Sequence, residues 1–247
     1  MSQLGPIQSV VVKIAVGLAT AVLGSVAALA GLVSQRAAAR VTHLWGGLCL
    51  RITGVPVVVE GLDHLDDGER YVIMANHESS LDILVLLAAL PPSVELRFLA
   101  KKSLFAIPFL GWAMKSAGFI PVDREDRSTA AATLSQTLDE VERGGSPLVF
   151  PEETWSIDGR LLPFARGGFL VALKSGLPIL PIGLEGPRQV LPPNEGVIRP
   201  QPVTVRVGEP ILTQSLGVSR RAELMARTRR EIDRLRGSSG HVSDSDD

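Results

Sequence analysis

A histidine and an aspartate lie five positions apart in residues 72–84, "VIMANHESSLDIL", where an apolar run gives way to a polar turn. A strand ending at Ala75 would bring His77 to the edge of a sheet, and a helix starting two or three residues later would carry Asp82 in its first turn. Asp82 could then accept a hydrogen bond from one imidazole nitrogen while the other faces a cleft. Such a pair can remove a proton from a hydroxyl group near neutral pH. The alternative is that Asp82 only favours the helix N-terminus and His77 only fills a turn.

Three further stretches place polar side chains at the ends of apolar runs. In residues 117–126, "AGFIPVDRED", Arg124 follows a short predicted strand and could bind an anionic group. In residues 148–156, "LVFPEETWS", a strand is broken by proline and followed by two carboxylates and a hydroxyl group. Residues 176–186, "GLPILPIGLEG", indicate a buried strand bracketed by prolines. Taken singly, these stretches are typical of a surface ion pair, an acidic loop and a scaffold strand.

Taken together, in this order and spacing, the four stretches resemble the glycerophospholipid acyltransferase family, whose best-known members are 1-acylglycerol-3-phosphate acyltransferases. The family's first block, Asn-His-four residues-Asp, is met by Asn76, His77 and Asp82. Its second block, a glycine, a short hydrophobic stretch and an arginine, is met by residues 118–124, and its fourth by the proline-bracketed strand. The third block, Phe-Pro-Glu-Gly-Thr-Arg-Ser, is met by Phe150, Pro151, Glu152, Thr154 and Ser156 but not at positions 153 and 155.

The resemblance implies transfer of a fatty acyl chain from an acyl thioester, acyl-CoA or acyl-ACP, to the free hydroxyl of a lysophospholipid. The default acceptor is 1-acyl-glycerol-3-phosphate, which would give phosphatidic acid. His77 and Asp82 would be catalytic, and backbone N–H groups near the helix start after His77 would bind the oxyanion of the intermediate. No metal and no bound cofactor are expected, since the thioester is a co-substrate. The substrate-binding residues implied are Asn76, Arg124, Glu152, Thr154, Trp155 and Arg166.

The third block departs from the family pattern by carrying Glu153 in place of glycine and Trp155 in place of arginine. One cation fewer and one anion more change the local charge by about two units, which disfavours a dianionic phosphomonoester. A phosphodiester lysophospholipid or an amino-acid lipid would suit such a site, with Trp155 stacking or lining an acyl groove. Alternatively, Arg160 or Arg166 in the following loop supplies the missing charge.

Other classes of function are weighed on the same residues. A serine hydrolase is disfavoured because the chain has no Gly-x-Ser-x-Gly elbow, and a zinc enzyme because no second histidine follows His77 at a ligand spacing. Two alternatives stay open: a CoA-independent transacylase that takes its acyl group from a phospholipid, and a non-catalytic membrane-attached scaffold of the same fold.

Composition sets broad limits. The 247 residues, 45 % of them hydrophobic, are enough for one sizeable α/β domain with a packed core. The 25 basic and 26 acidic side chains nearly balance, so nucleic acid is not expected as a partner. The single cysteine, Cys49, cannot form an internal disulfide, which favours reducing surroundings.

The N-terminal part predicts a membrane anchor. Ile14–Val33 contains no charge over 20 residues, enough to cross a hydrocarbon layer of about 30 Å as a helix. A cleaved signal peptide and a re-entrant hairpin with the next segment are the alternatives. Arginines follow the run at positions 36, 40 and 51, which predicts a catalytic part on the cytoplasmic face, of the inner membrane if the source is bacterial. The bilayer and a lysolipid acceptor are therefore the expected partners.

The remaining pattern predicts an α/β fold with a mostly parallel central sheet flanked by helices. Strands are predicted in residues 55–61, 70–76, 96–101, 118–123, 146–153, 177–186 and 203–209, and helices in 80–90, 103–116, 127–143, 167–174 and 219–236. The last helix would pack its apolar stripe on the body or on lipid. We divide the chain into a membrane-anchoring helical segment (1–50), an α/β acyltransferase domain (51–236) and a disordered acidic tail (237–247).

Overall fold

Seven strands form one sheet in a computed structural model that describes residues 5–123, 126–193 and 196–237. The order across the sheet is β1-β7-β6-β2-β5-β3-β4. The five strands from β6 to β4 run parallel, whereas β7 is antiparallel to β6, and β1 runs parallel to β7. The strands are β1 (Val57–Glu60), β2 (Val72–Ala75), β3 (Leu96–Lys101), β4 (Ile120–Val122), β5 (Ser146–Val149), β6 (Ile179–Glu185) and β7 (Val203–Val207).

The helices cover both faces of this sheet. They are α1 (Pro6–Gly31), α2 (Gln35–Thr53), α3 (Asp82–Ala89), α4 (Leu110–Ser116), α5 (Ala130–Glu142), α6 (Gly167–Ser175), α7 (Pro187–Val190) and α8 (Arg221–Leu235). Successive residues of β2 enter different apolar clusters: Ile73 packs in the cluster that includes α2, α3 and α4, whereas Met74 packs in the one that includes α5, α6 and α8. Because both sides of β2 and β5 are buried, these strands consist of uninterrupted buried residues, as parallel strands covered by helices do. The predicted mostly parallel sheet flanked by helices is confirmed.

The predicted helix over residues 103–116 is interrupted. A short 3₁₀ helix, Lys102–Ala106, precedes α4, and Pro108 and Phe109 separate the two. Proline disfavours the helical conformation of its preceding residue, and Phe109 has a positive φ of 64°, which ends any continuous helix.

The first two helices form a hairpin that packs on the body of the protein. Trp45 of α2 donates a hydrogen bond from Nε1 to Thr20 Oγ1 of α1 at 3.0 Å. A Cβ atom on Gly24 of α1 would lie 2.7 Å from the carbonyl oxygen of Phe109, so α1 approaches the start of α4 closely. The predicted domain boundary near Arg51 falls in the last turn of α2.

The opposite face of α1 is exposed and apolar. Leu18 is 63 % exposed and Val22 62 %, and Phe109 and Trp112, before and within α4, are also exposed. Within the described residues, Ile7–Gly31 is long and apolar enough to cross a membrane.

The C-terminal helix packs on the body. Leu224, Thr228, Ile232 and Leu235 of α8 are buried, at the helical spacing that the sequence predicts. The predicted disordered tail, apart from Gly237, lies outside the described residues.

Candidate active site

The imidazole of His77 and the carboxylate of Asp82 form the predicted pair. His77 follows the end of β2 in a turn, and Asp82 is the first residue of α3. The distance from His77 Nδ1 to Asp82 Oδ2 is 2.8 Å, and the side chains are 8 % and 0 % exposed. Because the carboxylate can only accept in this bond when ionised, Nδ1 carries the proton and Nε2 keeps its lone pair. None of the described residues forms a hydrogen bond with Nε2, so this nitrogen can accept a proton from a substrate.

Asp82 also closes the turn between His77 and α3. Its Oδ2 atom accepts hydrogen bonds from the backbone N–H groups of Glu78 at 2.7 Å and Ser79 at 3.0 Å. These two N–H groups were among the expected donors to an oxyanion after His77. They already bind Asp82, so the geometry corrects this expectation for both.

Glu152 braces the backbone of His77 from the neighbouring strand β5. Its Oε1 atom accepts the His77 N–H at 2.8 Å, and its Oε2 atom accepts the Leu162 N–H at 2.7 Å. The Ser156 N–H in turn donates to the His77 carbonyl oxygen at 2.9 Å. Burial raises the pKa of Glu152, while the N–H donors from Leu162 and His77 oppose this effect. With both oxygens engaged and 6 % of the residue exposed, the geometry favours a positioning role over the predicted substrate contact.

Asn76 holds the turn to the other neighbour of β2, strand β6. Its amide donates to the Leu184 carbonyl oxygen at 2.9 Å and accepts the Leu184 N–H at 2.7 Å. The residue is 1 % exposed. These hydrogen bonds mimic strand pairing just beyond the end of β2, and the substrate contact of Asn76 stays a prediction.

Glu78 is a buried acid that the sequence reasoning did not single out. It is 8 % exposed, accepts a 3.3 Å hydrogen bond from Asn76 Nδ2, and faces Arg188 and Arg236. Burial, together with the nearby charge of Asp82, raises the pKa of Glu78 to about 7. Its position beside His77 was the available signal, but its burial and its neighbours Arg188 and Arg236 depend on distant parts of the chain.

Two aromatic side chains flank the imidazole. The ring of Phe150 stacks on His77 with centroids 4.0 Å apart and an interplanar angle of 13°. Trp155 meets the ring edge-on at 5.8 Å and is 37 % exposed. These contacts fix the plane of the imidazole between the two aromatic rings.

An apolar cavity of about 240 Å³ opens beside the start of α3. Its wall combines the N-terminal hairpin with α3, β3 and α4, and includes Leu23, Trp45, Ser80, Leu84 and Phe119. The hairpin thus forms part of the wall of a cavity that it shares with α3, β3 and α4.

A second cavity, of about 610 Å³, lies on the Phe150 side of the imidazole. Its charged lining residues are Asp123, Asp126, Glu153 and Arg166. Arg160 and Arg166 were the two candidates to supply the charge of the arginine that Trp155 replaces. Arg166 lines this cavity and Arg160 does not. Thr154 is exposed, and Arg124 lies outside the described residues.

Glu153 occupies the family's glycine position with a glycine-like backbone. Its φ is 59°, in the left-handed region that glycine adopts without steric cost. The turn after β5 thus holds a glutamate in a backbone conformation that favours glycine. Within the described residues, no group of three or more histidine, cysteine, aspartate or glutamate side chains could hold a metal ion.

Comparison with known proteins identifies the family of the chain. The acyltransferase family model matches residues 56–185, more than half of the chain and the whole segment from β1 to β6. The chain therefore belongs to the acyltransferase family.

Curated relatives carry a narrower name. The chloroplastic 1-acyl-sn-glycerol-3-phosphate acyltransferase BAT2 of Brassica napus is 37 % identical over 155 residues, 62 % of this chain and 44 % of the relative. The 1-acyl-sn-glycerol-3-phosphate acyltransferase of Saccharomyces cerevisiae is 35 % identical over 182 residues, 72 % of this chain and 59 % of the relative. The chain thus spans about half the length of these relatives.

A solved structure shares the fold. The crystal structure of the 1-acyl-sn-glycerophosphate (LPA) acyltransferase PlsC from Thermotoga maritima superposes with a TM-score of 0.80 at 21 % identity, covering 92 % of each chain.

Proposed function

We propose that the protein transfers a fatty acyl chain from an acyl thioester to the free hydroxyl of a lysophospholipid, with 1-acyl-glycerol-3-phosphate as the default acceptor. The observation that carries the proposal is the His77–Asp82 pair, with its 2.8 Å hydrogen bond and an Nε2 that binds none of the described residues. The pair lies near the apolar cavity, which Ser80 lines, and near the second cavity, which Phe150 lines. The names of the relatives, which share the family but not their full length, support the same reaction.

In this reaction His77 acts as a general base and then as a general acid. Nε2 takes the proton of the acceptor hydroxyl as its oxygen attacks the thioester carbonyl carbon. The carbonyl electron pair moves onto its oxygen, then returns and expels the thiolate. The imidazolium gives its proton to that sulfur, so the products are an ester and a free thiol, without an acyl-enzyme. Asp82 stabilises the imidazolium and keeps the proton of Nδ1 in place.

The apolar cavity suits the acyl chain of the donor. Its polar lining is minimal, and Ser80 and Leu84 bring it next to the turn that carries His77. An acyl chain there would leave the thioester at the imidazole and its carrier, coenzyme A or acyl carrier protein, outside the cavity.

The second cavity suits the headgroup of the acceptor. Arg166 supplies a cation for a phosphate, and Trp155 supplies an aromatic wall beside His77. The acidic groups in the lining repel a dianionic phosphomonoester and so weaken its binding. Phosphodiester lysophospholipids and amino-acid lipids should therefore be tested as acceptors in the same assay.

The exposed apolar face of α1 suits the surface of a bilayer. Because the other face of α1 packs against α2 and α4, we infer that the hairpin lies in one leaflet as a monotopic anchor, the re-entrant alternative. The arginines after the hydrophobic run favour the cytoplasmic face. Such docking lets a lysolipid enter the site from the membrane.

The test offers the purified protein a panel of lysolipids with one acyl-CoA and one acyl-ACP and identifies the products by mass. We expect acyl transfer to at least one lysolipid and a loss of about 10³-fold in kcat for His77→Ala. His64→Ala is the matched control, because His64 lies outside the site and binds only the Val207 carbonyl oxygen with its Nδ1. Turnover of His77→Ala at the parent rate would refute the proposal, and transfer from an intact phospholipid alone would favour the transacylase.

A further inference from the structure

Arg229 of the C-terminal helix α8 and Arg236, which directly follows that helix, hold the loop that comes after the third sequence block. Arg229 and Arg236 are seven positions apart, two turns of a helix, and so lie on one face. Arg229 donates from its two terminal nitrogens to the carbonyl oxygens of Leu161 and Leu162. Arg236 donates to the carbonyl oxygen of Gly159. The guanidinium of Arg229 also lies 5.2 Å from the centre of the Phe164 ring.

The held segment, the 157–164 loop, has neither helix nor strand among its residues. Without backbone pairing in a sheet or helix, its position depends on side-chain contacts. A forked guanidinium can bind two adjacent carbonyl oxygens at once, which a lysine ammonium does less well. Arg229 is therefore well suited to fix this loop.

The other side of the same loop contacts the brace of the catalytic histidine. The carbonyl oxygen of Leu162 accepts a hydrogen bond from Arg229, and its N–H donates one to Glu152 Oε2. The second oxygen of Glu152 holds the His77 N–H. A continuous chain of hydrogen bonds thus runs from α8 through Leu162 and Glu152 to His77.

We propose that Arg229 is a positioning residue for acyl transfer, which fixes His77 through Leu162 and Glu152. This inference rests on the proposed function, in which His77 is the base. It assigns the C-terminal helix, outside the residues that the family model matches, a part in the catalytic apparatus.

Loss of this contact has a specific effect on the pH dependence. The Leu162 N–H favours the ionised form of Glu152, so its release raises the pKa of a carboxyl group that burial already raises. The charged groups that face Glu152 are His77, Glu78 and Arg236, and all three remain in an Arg229 variant. Protonation of Glu152 removes one acceptor from the His77 brace, so the acid limb of the kcat/KM profile should move to higher pH.

The test compares Arg229→Met and Arg229→Lys with Arg230→Met. Arg230 is the matched control, because it is the adjacent residue of α8 but is exposed. We expect kcat to fall by about 10- to 100-fold in Arg229→Met and less in Arg229→Lys, with little change in donor KM and an acid limb at higher pH. Arg230→Met should match the parent in all three.

Amide hydrogen exchange provides a readout that does not depend on turnover. The N–H groups of Leu162 and His77 both donate to Glu152, so both should exchange faster in Arg229→Lys than in Arg230→Met, even if Arg229→Met does not fold. Unchanged exchange at these amides would overturn the role of Arg229. So would a loss of kcat that is proportional to the loss of folded protein and leaves the pH profile unshifted. If the parent acylates no lysolipid, the proposed function itself fails, whatever the exchange data show.

Discussion

At the residue scale, one carboxylate oxygen of Asp82 both binds the imidazole of His77 and closes the turn that follows it. Oδ2 accepts the imidazole N–H of His77 and two backbone N–H groups of the following turn, whereas Oδ1 is buried without a partner among the described residues. The donors that stabilise the charge therefore also shape the turn that presents the imidazole. This sharing explains why the pair can form within five residues of chain.

A prediction at this scale concerns Glu78, whose pKa rises on folding from 4.5 to about 7. A carboxyl group with a raised pKa contributes stability below its unfolded pKa, and this contribution is lost as the pH rises through the folded pKa. The parent should therefore lose stability between about pH 5 and about pH 8, by as much as roughly 3 kcal/mol, and Glu78→Gln should lose less. Urea unfolding at both pH values measures the difference. Parallel pH dependence in the two proteins would show that Glu78 does not titrate there.

A second prediction concerns the positive φ of Glu153. A side chain in the left-handed region costs about 1–2 kcal/mol, and glycine escapes this cost. Glu153→Gly should therefore be more stable than Glu153→Ala by about 1 kcal/mol, since both variants lose the carboxylate but only glycine relieves the backbone. Thermal unfolding of the two variants measures this gap. Equal midpoints would mean that the turn adopts another conformation in solution.

At the element scale, the parallel strands bring separate sequence blocks to one end of the sheet. His77 follows β2, Glu152 follows β5 and Leu184 lies near the end of β6, and these three strands are neighbours. Each of these residues lies at or just beyond the carboxyl end of its strand, so parallel pairing alone brings them together. The helical hairpin completes the site from outside the sheet by walling the apolar cavity.

A prediction at this scale tests the close packing of α1 against the start of α4. Gly24→Leu would put a side chain 2.7 Å from the Phe109 carbonyl oxygen, so α1 must shift away from α4 and open the cavity. We expect a loss of about 1–3 kcal/mol in stability and a marked loss of turnover, measured by urea unfolding in detergent and by acyl transfer. Gly17→Leu is the control, because nothing lies within 4 Å of its Cβ position. If Gly24→Leu matched Gly17→Leu, the close packing of α1 on α4 would be wrong.

At the scale of the whole molecule, the N-terminal hairpin carries an exposed apolar surface and also lines the apolar cavity. The outward face of α1 carries exposed aliphatic side chains, while its inward face lines the apolar cavity. A protein arranged in this way can dock on lipid and take up a lipid substrate on the same side.

A prediction at this scale separates docking from the cavity. The double variant Leu18→Glu and Val22→Glu charges the outward face of α1 without touching the residues that line the cavity. It should move to the soluble fraction and lose activity on bilayer substrate more than on micellar substrate, because a charge on this face opposes membrane insertion. Leu212→Glu, at a leucine that is 72 % exposed outside the hairpin, should retain the parent's distribution in a flotation assay. Equal losses on both substrates would exclude docking through α1.

Local patterns in the sequence predicted the strands, most helices and the contact between His77 and Asp82. All seven predicted strands are present, because apolar runs bounded by turn residues reflect the burial of a covered sheet. The His77–Asp82 contact is local, formed within one strand, turn and helix, so its spacing was informative. The break before α4 was missed because Pro108 and Phe109 interrupt a pattern that is otherwise helical.

Tertiary structure alone decided how the pair is held and what surrounds it. Glu152 is 75 positions from His77 and Leu184 is 108 positions from Asn76, so no local pattern could show that these side chains brace the turn rather than meet a substrate. The raised pKa of Glu78 and the hydrogen bonds from Arg229 to the 157–164 loop likewise depend on burial and on contacts between distant segments. The spacing of residues along the chain determines short-range geometry. Burial and long-range hydrogen bonds exist only once the sheet has brought distant segments together.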